Sequence, residues 1–589
     1  MGRAKTIARR TFLVGSVAIA GGVAFGVYQA RKTPANPLKP GPGAATLNPF
    51  VLINQDGVTI IAPRAEMGQG VQTTLAALVA EELDVAWQDI TVLHGPPAQA
   101  YYNGALISAA LPYPDYDLTG FQRGVADNLA VMGKILGLQV TGGSTSMRDG
   151  FEKQRRAGAS AREALKQAAA DRLGINPGDL RTENGRVIAP DGTALTYHEL
   201  AEDAALLDVP KVELRPVSTW KYVGKSMPRL DMVGKVTGTA QFGIDTVAEG
   251  MVFATLRMNP RLGAGMVRFD ASAAERMAGV IKVIDLGGGI AVVARNTWLA
   301  FQAAEAVKID WQDAPYPPEN AALMEAIAAA FEQKPDSTLR DDGDVDTVVD
   351  GAEITAEYRA PWLTHATMEP MNATAHFTGD ALEIWAGNQA PIVVQQKTAK
   401  ICGLDQDQVT VHTPFMGGGF GRRGESDFAT YAAQIAKEMP GTPVKVTWTR
   451  EEDMRHDFYR PAAMARFRGV VKDGEALVLE GRIAAPSTTR QAALRISGMV
   501  PPGKDKGLVE GAFDQPYGIP NFRISGHIAD LSVPIGYWRS VGYSYNGFFF
   551  DSFIDEMAHA AGRDPLEFRL QLIAREHGPS AGCLRAVAE

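Results

Sequence analysis

Met416-Gly417-Gly418-Gly419-Phe420-Gly421-Arg422-Arg423-Gly424 is the stretch on which the reading of this 589-residue chain turns. It follows a predicted strand and precedes a helical run, Phe428 to Glu438. Glycines at a helix entrance let backbone N–H groups approach a phosphate or polar cofactor, because no Cβ intervenes and the helix dipole favours negative charge. Gly419-x-Gly421-x-x-Gly424 formally matches the dinucleotide fingerprint. The next strand, Val444 to Trp448, is followed by Arg450 rather than an acid, which suits an NADP-dependent oxidoreductase using the 419–424 loop. Against that alternative, Arg422-Arg423 fills the tight turn with bulk, and no Rossmann series surrounds it.

Two further glycine segments stand beside helical runs. One is Glu66-Met67-Gly68-Gln69-Gly70-Val71-Gln72, and the other is Thr141-Gly142-Gly143-Ser144-Thr145-Ser146. A single loop of this kind is usually a turn. Three in one chain point to a large, polyanionic, phosphate-bearing ligand.

Outside the glycines, Gln389 follows the strand Leu382 to Trp385 and precedes a helix beginning after Pro391. Its amide can donate to an oxo or carbonyl group, although capping or surface roles are common for such a residue. His365 and Glu369 are spaced i, i+4, but Pro370 and the lack of a second histidine argue for structural polar roles. Tyr537-Trp538-Arg539-Ser540-Val541-Gly542 fits a pocket loop with an aromatic wall and a cationic head; a surface cation–π pair is the plain alternative. No G-x-S-x-G elbow occurs.

The chain body alternates β-rich runs with helical stretches. Strands are expected at Val58 to Ala62, Asp89 to Leu93, 239–245 and 251–257. Helices are expected at Thr73 to Leu83, Arg148 to Leu173 and Thr297 to Ala306. Three helical stretches end alike, at Leu83-Asp84, Leu173-Gly174 and Gly403-Leu404, each followed by a short link and a strand. They read as recurring α–β modules or as common loop chemistry. The fold class is α+β (mixed α/β) and multidomain.

Composition narrows the chemistry. Apolar residues make up 46% and net charge is −9, so a nucleic-acid-binding surface is not expected. With only Cys402 and Cys583, the chain cannot build a disulfide scaffold, a cysteine zinc finger or its own four-cysteine iron–sulfur cluster. The N-terminus starts basic and continues into an uncharged run, Phe12 to Tyr28. Arg9-Arg10 before Thr11-Phe12-Leu13 resembles a twin-arginine export signal, which implies a periplasmic protein. No clean cleavage site is visible, so cleavage and retention as an inner-membrane tether both stay open.

Taken in order, these segments resemble the molybdenum-binding large subunit of the xanthine oxidase family, nearest its isoquinoline oxidoreductase beta and membrane-bound aldehyde dehydrogenase branch. The resemblance rests on Glu66 to Gly70, Gly142 to Ser146, Lys235-Val236-Thr237-Gly238, His365 with Glu369, and Gln389. It continues through Gly417 to Arg423, Tyr517 to Asn521, Trp538-Arg539 and Ile554 to Ala558. It implies molybdenum-cofactor-binding domains plus an α/β hammerhead-like domain. The expected segments are a signal or anchor at 1–32, a linker at 33–48, an N-terminal cofactor-binding segment at 49–225, the hammerhead-like domain at 230–335, and a cofactor-binding domain at 345–589.

The resemblance further implies molybdopterin with Mo, expected in the cytosine dinucleotide form. The dithiolene of the pterin would hold the metal, so no protein residue is a metal ligand, and no Fe–S cluster or FAD sits on this chain. The implied reaction is hydroxylation of an aldehyde or N-heteroaromatic carbon with water as the oxygen source. The electrons would go to a 2Fe–2S small subunit and then a c-type cytochrome. Gln389 would hydrogen-bond the cofactor, Phe420 would wall the pocket, and Arg539 would position or polarise the small-molecule substrate. Gly68, Gln69, Gly70, Gly142, Gly143, Ser144, Thr145 and Ser146 would carry pterin and phosphate contacts; Gly418 and Gly421 would also bind the cofactor, with Gly419 and Phe420 lying beside the metal.

Two departures matter. The family's Gly-Gly-Lys-Glu after the phenylalanine is here Gly421-Arg422-Arg423-Gly424-Glu425, and Val541 replaces the phenylalanine of purine-oxidising relatives. The C-terminal Gly-Glu-rich segment bearing the family's glutamate base has no counterpart before Glu589. The resemblance therefore implies a truncated or split chain, inactive alone or serving as a scaffold.

Overall fold

The computed structural model describes residues 32–114, 116–208, 211–498, 500, 503–573 and 575–589. The twin-arginine pair and the run Phe12 to Tyr28 lie outside the described residues. Two compact units form. One runs to Ala109, resumes over Gln122–Ala240 and takes in Ala390–Ile392; the other comprises Ala110–Phe121, Gln241–Gln389 and Val393–Glu589.

The first unit is built on a four-stranded sheet. Ala45–Asn48, Val51–Asn54 and Gly57–Ala62 form an antiparallel meander. Ile90–His94 then joins Gly57–Ala62 in parallel after the helix Val71–Leu83. That helix packs against the long helix Ser146–Leu173, whose alanine content is explained by the contact. Ala157, Ala161, Ala164, Leu165 and Ala168 are buried at helical spacing. A Cβ on Gly158 would lie 2.4 Å from the Val79 carbonyl oxygen, so the two backbones touch where side chains would otherwise separate them.

Residues 213–223, which lack periodicity, are held by three carboxylates at the end of the first helix. Glu81 accepts the N–H groups of Lys221, Tyr222 and Val223. Glu82 takes the Arg215 N–H and the Arg155 side chain, and Asp84 takes the side chains of Arg215 and Lys221. Polar pairing there replaces a hydrophobic stripe.

The second unit contains two large sheets. The seven-stranded sheet runs in the order Val280–Asp285, Gly289–Ala294, Val252–Met258, Val444–Thr447, Asn372–Phe377, Leu382–Trp385, Val409–His412. The parallel pairing of Val252–Met258 with Val444–Thr447 places the region expected at 230–335 in one sheet with the region expected at 345–589. The five-stranded sheet, Ser337–Asp342, Asn521–Ile528, Glu475–Ala485, Ala463–Lys472, Ala352–Ala360, is covered by the helix Tyr543–Ala560. That helix buries Phe549, Phe550, Phe553, Ile554 and Met557 on one face. The chain is thus mixed α/β with several sheets, as expected.

The three recurring links are one motif. Asp84, Gly174 and Gly403 each end a helix with φ of 63°, 69° and 74°. Each is followed by a single 3₁₀ turn (Trp87–Asp89, Pro177–Asp179, Gln406–Gln408) and a strand. A left-handed residue at the helix end redirects the chain, and the 3₁₀ turn aims it into the sheet.

The strand expected at 239–245 is absent. The segment makes one bridge, Phe242 to Phe415, and a 3₁₀ turn over Gly243–Asp245. The Ile244 N–H donates to Glu369 Oε1, and a Cβ on Gly243 would fall 2.7 Å from Asn372 Oδ1. Contact with a buried carboxylate, not a ladder, fixes this stretch.

Candidate functional site

In the second unit, the chain leaves the strand Val409–His412 and turns through Gly418, Phe420 and Gly421 at φ of 97°, 56° and 108°. Three left-handed residues in four positions make a tight coil around one buried side chain, Arg423. Its guanidinium donates to Gly418 O (3.0 Å), Gly387 O (3.2 Å), Glu369 O (3.1 Å) and Glu369 Oε2 (2.9 Å). Burial pulls the Arg423 guanidinium below its ordinary pKa, and the Glu369 charge works against that shift. Arg422 is equally buried and points elsewhere, making a two-point pair with Asp427 at 2.8 and 2.7 Å. Burial opposes its charge too, but Asp427 and Asp457 outweigh it and the pKa rises.

This geometry removes the NADP reading. The Arg422, Gly424 and Glu425 N–H groups donate to Gly419 O, Gly421 O and Arg422 O within the turn, so they form no phosphate cradle. Arg450, the candidate for a 2′-phosphate, pairs with Asp453 at 2.7 Å and Met368 O at 2.9 Å.

Gln389 is 5% exposed and locked to the same coil. Its N–H donates to Arg423 O at 2.8 Å, and its Oε1 accepts the Gly421 N–H at 3.2 Å. The carbonyl end of the amide is therefore turned to the protein and the NH₂ end is the donor. A Cβ on Gly421 would lie 1.7 Å from the Tyr537 carbonyl oxygen, so the loop Tyr537–Val541 rests on the coil backbone to backbone. Its Trp538 indole donates to Thr364 O at 3.0 Å, and its Arg539 guanidinium lies over the Phe420 ring at 5.7 Å. Phe420 and Arg539 are exposed, and among the described residues no carboxylate pairs with Arg539. The structure thus gathers Gln389, Gly418, Gly419, Phe420, Gly421 and Arg539, which are scattered over 150 positions of sequence.

Backbone strain gathers here as well. Apart from Asn and Asp, the described non-glycine residues with positive φ are Ser144, Ala366, Phe420, Ser540 and Val541. Phe420, Ser540 and Val541 belong to this cluster, and Val541 at φ 48° is β-branched, which makes the conformation costly.

The first unit carries the other two glycine loops. In the loop 66–72, the Glu66 carboxylate accepts the N–H groups of Gly68 (2.8 Å), Gly70 (3.0 Å) and Gln72 (3.2 Å). The Gln69 side chain folds back to Ala65 O and the Met67 N–H. An acid of the chain itself therefore occupies the helix entrance expected to hold a ligand anion, leaving exposed Gly68 and Gln69 as the loop's outer surface.

The loop 142–146 is different. Gly143 and Ser144 are consecutive left-handed residues, both exposed, and the N-cap Thr145 gives no side-chain cap to the helix Ser146–Leu173. The Thr145 hydroxyl instead donates to Gly142 O and accepts from Asn103. An Arg64–Asp149 pair at 2.7 Å anchors the first helical turn, and Thr141 Oγ1 accepts the Ala65 N–H, joining the bases of the two loops. The uncapped entrance is the anion-compatible one.

Sequence spacing did not reveal Asp457, which binds His365, or Arg495, which pairs with Glu425 at 2.6 Å. Their partners lie 92 and 70 positions away. His365 and Glu369 do hold structural polar roles, in an irregular segment and not on a helix face. Among the described residues, no group of three or more His, Cys, Asp or Glu is arranged to hold a metal, and no helix is long and apolar enough to cross a membrane.

Residues 330–572 match the molybdopterin cofactor-binding domain. The chain is 28% identical to the beta chain of isoquinoline 1-oxidoreductase from Brevundimonas diminuta, over 99% of this chain and 77% of that one. It is 28% identical to the membrane-bound aldehyde dehydrogenase (pyrroloquinoline-quinone) of Gluconacetobacter polyoxogenes, over 96% and 72%. It is 27% identical to a nicotinate dehydrogenase subunit of Pseudomonas putida, over 89% of this chain but 42% of that one.

Proposed function

We infer that this chain, a molybdopterin-binding oxidoreductase of the xanthine oxidase family, is the catalytic large subunit of a molybdenum hydroxylase acting on an aldehyde or an N-heteroaromatic carbon. The observation that carries the reading is the Gln389–Phe420–Arg539 cluster. It combines a fixed amide donor, an exposed aromatic wall and a cation without a carboxylate partner among the described residues, with strained backbone at Phe420 and directly after Arg539.

The residues present fit the cofactor. Gly143 to Ser146 offer an uncapped helix entrance for a phosphate or pterin, and a cytosine dinucleotide form would use it. Gln389 and the Gly418–Gly421 coil form the wall of the redox site. When bound, molybdopterin supplies the two-electron centre. The chain's own contribution is placement. The Gln389 amide donates a hydrogen bond, Phe420 shields one side of the substrate from water, and Arg539 stabilises negative charge developing on a substrate carbonyl or ring nitrogen. We assign the departing electrons to a 2Fe–2S small subunit and onward to a c-type cytochrome. We place the protein in the periplasm, exported through Arg9-Arg10 and tethered to the inner membrane if the segment is retained.

Metal analysis of the chain co-expressed with its small subunit tests the reading. Stoichiometric molybdenum is expected, and a folded complex without molybdenum would overturn it.

A further inference from the structure

We propose that His365 is a positioning residue that acts through Tyr537 to hold the strained turn presenting Arg539. The His365 and Asp457 side chains are each 1% exposed. His365 Nδ1 lies 2.8 Å from Asp457 Oδ1, and Nε2 lies 2.9 Å from the Tyr537 carbonyl oxygen. The ring therefore bridges two oxygens, with the Asp457 carboxylate on Nδ1 and the Tyr537 carbonyl on Nε2, and Asp457 fixes its orientation against Tyr537. Arg422 Nε lies 3.2 Å from the same Asp457 Oδ1 and sets a positive charge beside the carboxylate.

The Tyr537 carbonyl is the hinge of the arrangement. It is gripped by His365 on one side and lies against the Cα of Gly421 on the other. Directly after it come Trp538 and Arg539, then Ser540 and Val541 at φ 70° and 48°. Two consecutive non-glycine residues in the left-handed region persist only where their surroundings over-determine them. The Trp538 O to Val541 N–H bond at 2.7 Å closes the turn but does not fix where it points. His365 supplies a fixing point at the start of the turn, beside the Trp538 indole bond to Thr364 O, and Arg539 reaches over Phe420 because the turn is held there. The buried pair is a poor source of stability for its own sake, which is consistent with a role in specifying one loop conformation.

The kinetic part of the test rests on the proposed function, while the structural part does not. Hydrogen–deuterium exchange on the full chain compares wild type with His365→Gln and Asp457→Asn. Residues 537–543 should exchange at least about tenfold faster in both variants, with the strands of the seven-stranded sheet unchanged. In the co-expressed enzyme, with benzaldehyde and isoquinoline as probe substrates, His365→Gln should lower kcat/KM at least about tenfold. It should have no further effect in an Arg539→Ala background. Unchanged exchange at 537–543, additive kinetics, or global unfolding of both variants would each overturn the proposal. Absence of molybdenum would overturn the proposed function and leave the exchange experiment to decide the role of His365.

Discussion

The backbones of Gly421 and Tyr537 are in direct contact: a Cβ on Gly421 would stand 1.7 Å from the Tyr537 carbonyl oxygen. The glycine coil and the arginine loop therefore cannot both keep their places if Gly421 gains a side chain.

Gly421→Ala is accordingly expected to act on both sides of the site. At φ 108° alanine is strained, and its methyl would displace either the coil or the loop. A loss of about 3 kcal/mol or more of stability is expected, from strain plus overpacking. The control is Gly424→Ala, where a Cβ meets nothing within 4 Å. Thermal or urea unfolding of the two variants side by side checks this, and equal stabilities would count against the contact.

Arg423→Met removes the post around which the coil is wound and leaves the Glu369 carboxylate buried without its cation. Breaking one side of a buried pair costs about 3–5 kcal/mol, whereas removing both charges is far milder. The double variant Arg423→Met with Glu369→Gln should therefore recover much of the loss. Denaturation midpoints of the two single variants and the double variant measure the coupling directly.

These two residues show what was legible in the sequence. The glycines of 417–421 signal a backbone open to close approach, and the structure uses that freedom in a left-handed coil at Gly418 and Gly421 and not in a phosphate cradle. The Ala-rich run 148–173 reads as a helix, and the structure adds that it packs closely against Val71–Leu83. The bulk of Arg422-Arg423 argued against a dinucleotide turn, and the buried guanidinium groups supply the reason. What stayed hidden depends on long-range pairing. Nothing near Asp457 announces His365, and nothing in Met67 to Gln72 shows that Glu66 already fills the helix entrance. Residues 239–245 do not form a strand for the same reason: a local β pattern gives way to long-range contact, with the Ile244 N–H donating to Glu369.

Stability should respond to pH in a way that two buried groups nearly cancel. Burial pushes Glu452 up to about 7 and the His456 imidazole down to about 4. Between the ordinary glutamate value and pH 7, folded Glu452 binds more proton than the unfolded chain, so its contribution falls as pH rises. His456 behaves oppositely: between pH 4 and its ordinary value the unfolded chain binds more proton, so stability rises with pH. Glu452→Gln keeps an acceptor for the Met258 N–H while removing the titration. The variant should gain roughly 1–3 kcal/mol over wild type near neutrality and none near pH 4. Its stability should climb from pH 4 to 6.5 where wild type is flatter. Urea unfolding at several pH values measures both slopes, and parallel curves would refute the assignment of Glu452.

The last prediction separates the two helix entrances of the first unit. Glu66 bonds the Gly68, Gly70 and Gln72 N–H groups and lies 3.2 Å from Arg229, so the chain supplies its own anion at Val71–Leu83. Glu66→Ala strips that anion and should cost about 1–3 kcal/mol, since several donors lose their acceptor at once. The exposed amides and Arg229 then form the anion site that wild type lacks, so added sulfate should restore stability to Glu66→Ala in a saturable way. Wild type should show only the smaller, unsaturable salting effect common to folded proteins. Melting temperatures across a sulfate series, with chloride at matched ionic strength, read this out. Saturable rescue of the variant alone is expected if Glu66 stands in for a ligand anion, and identical sulfate responses would show that the carboxylate does not play that part.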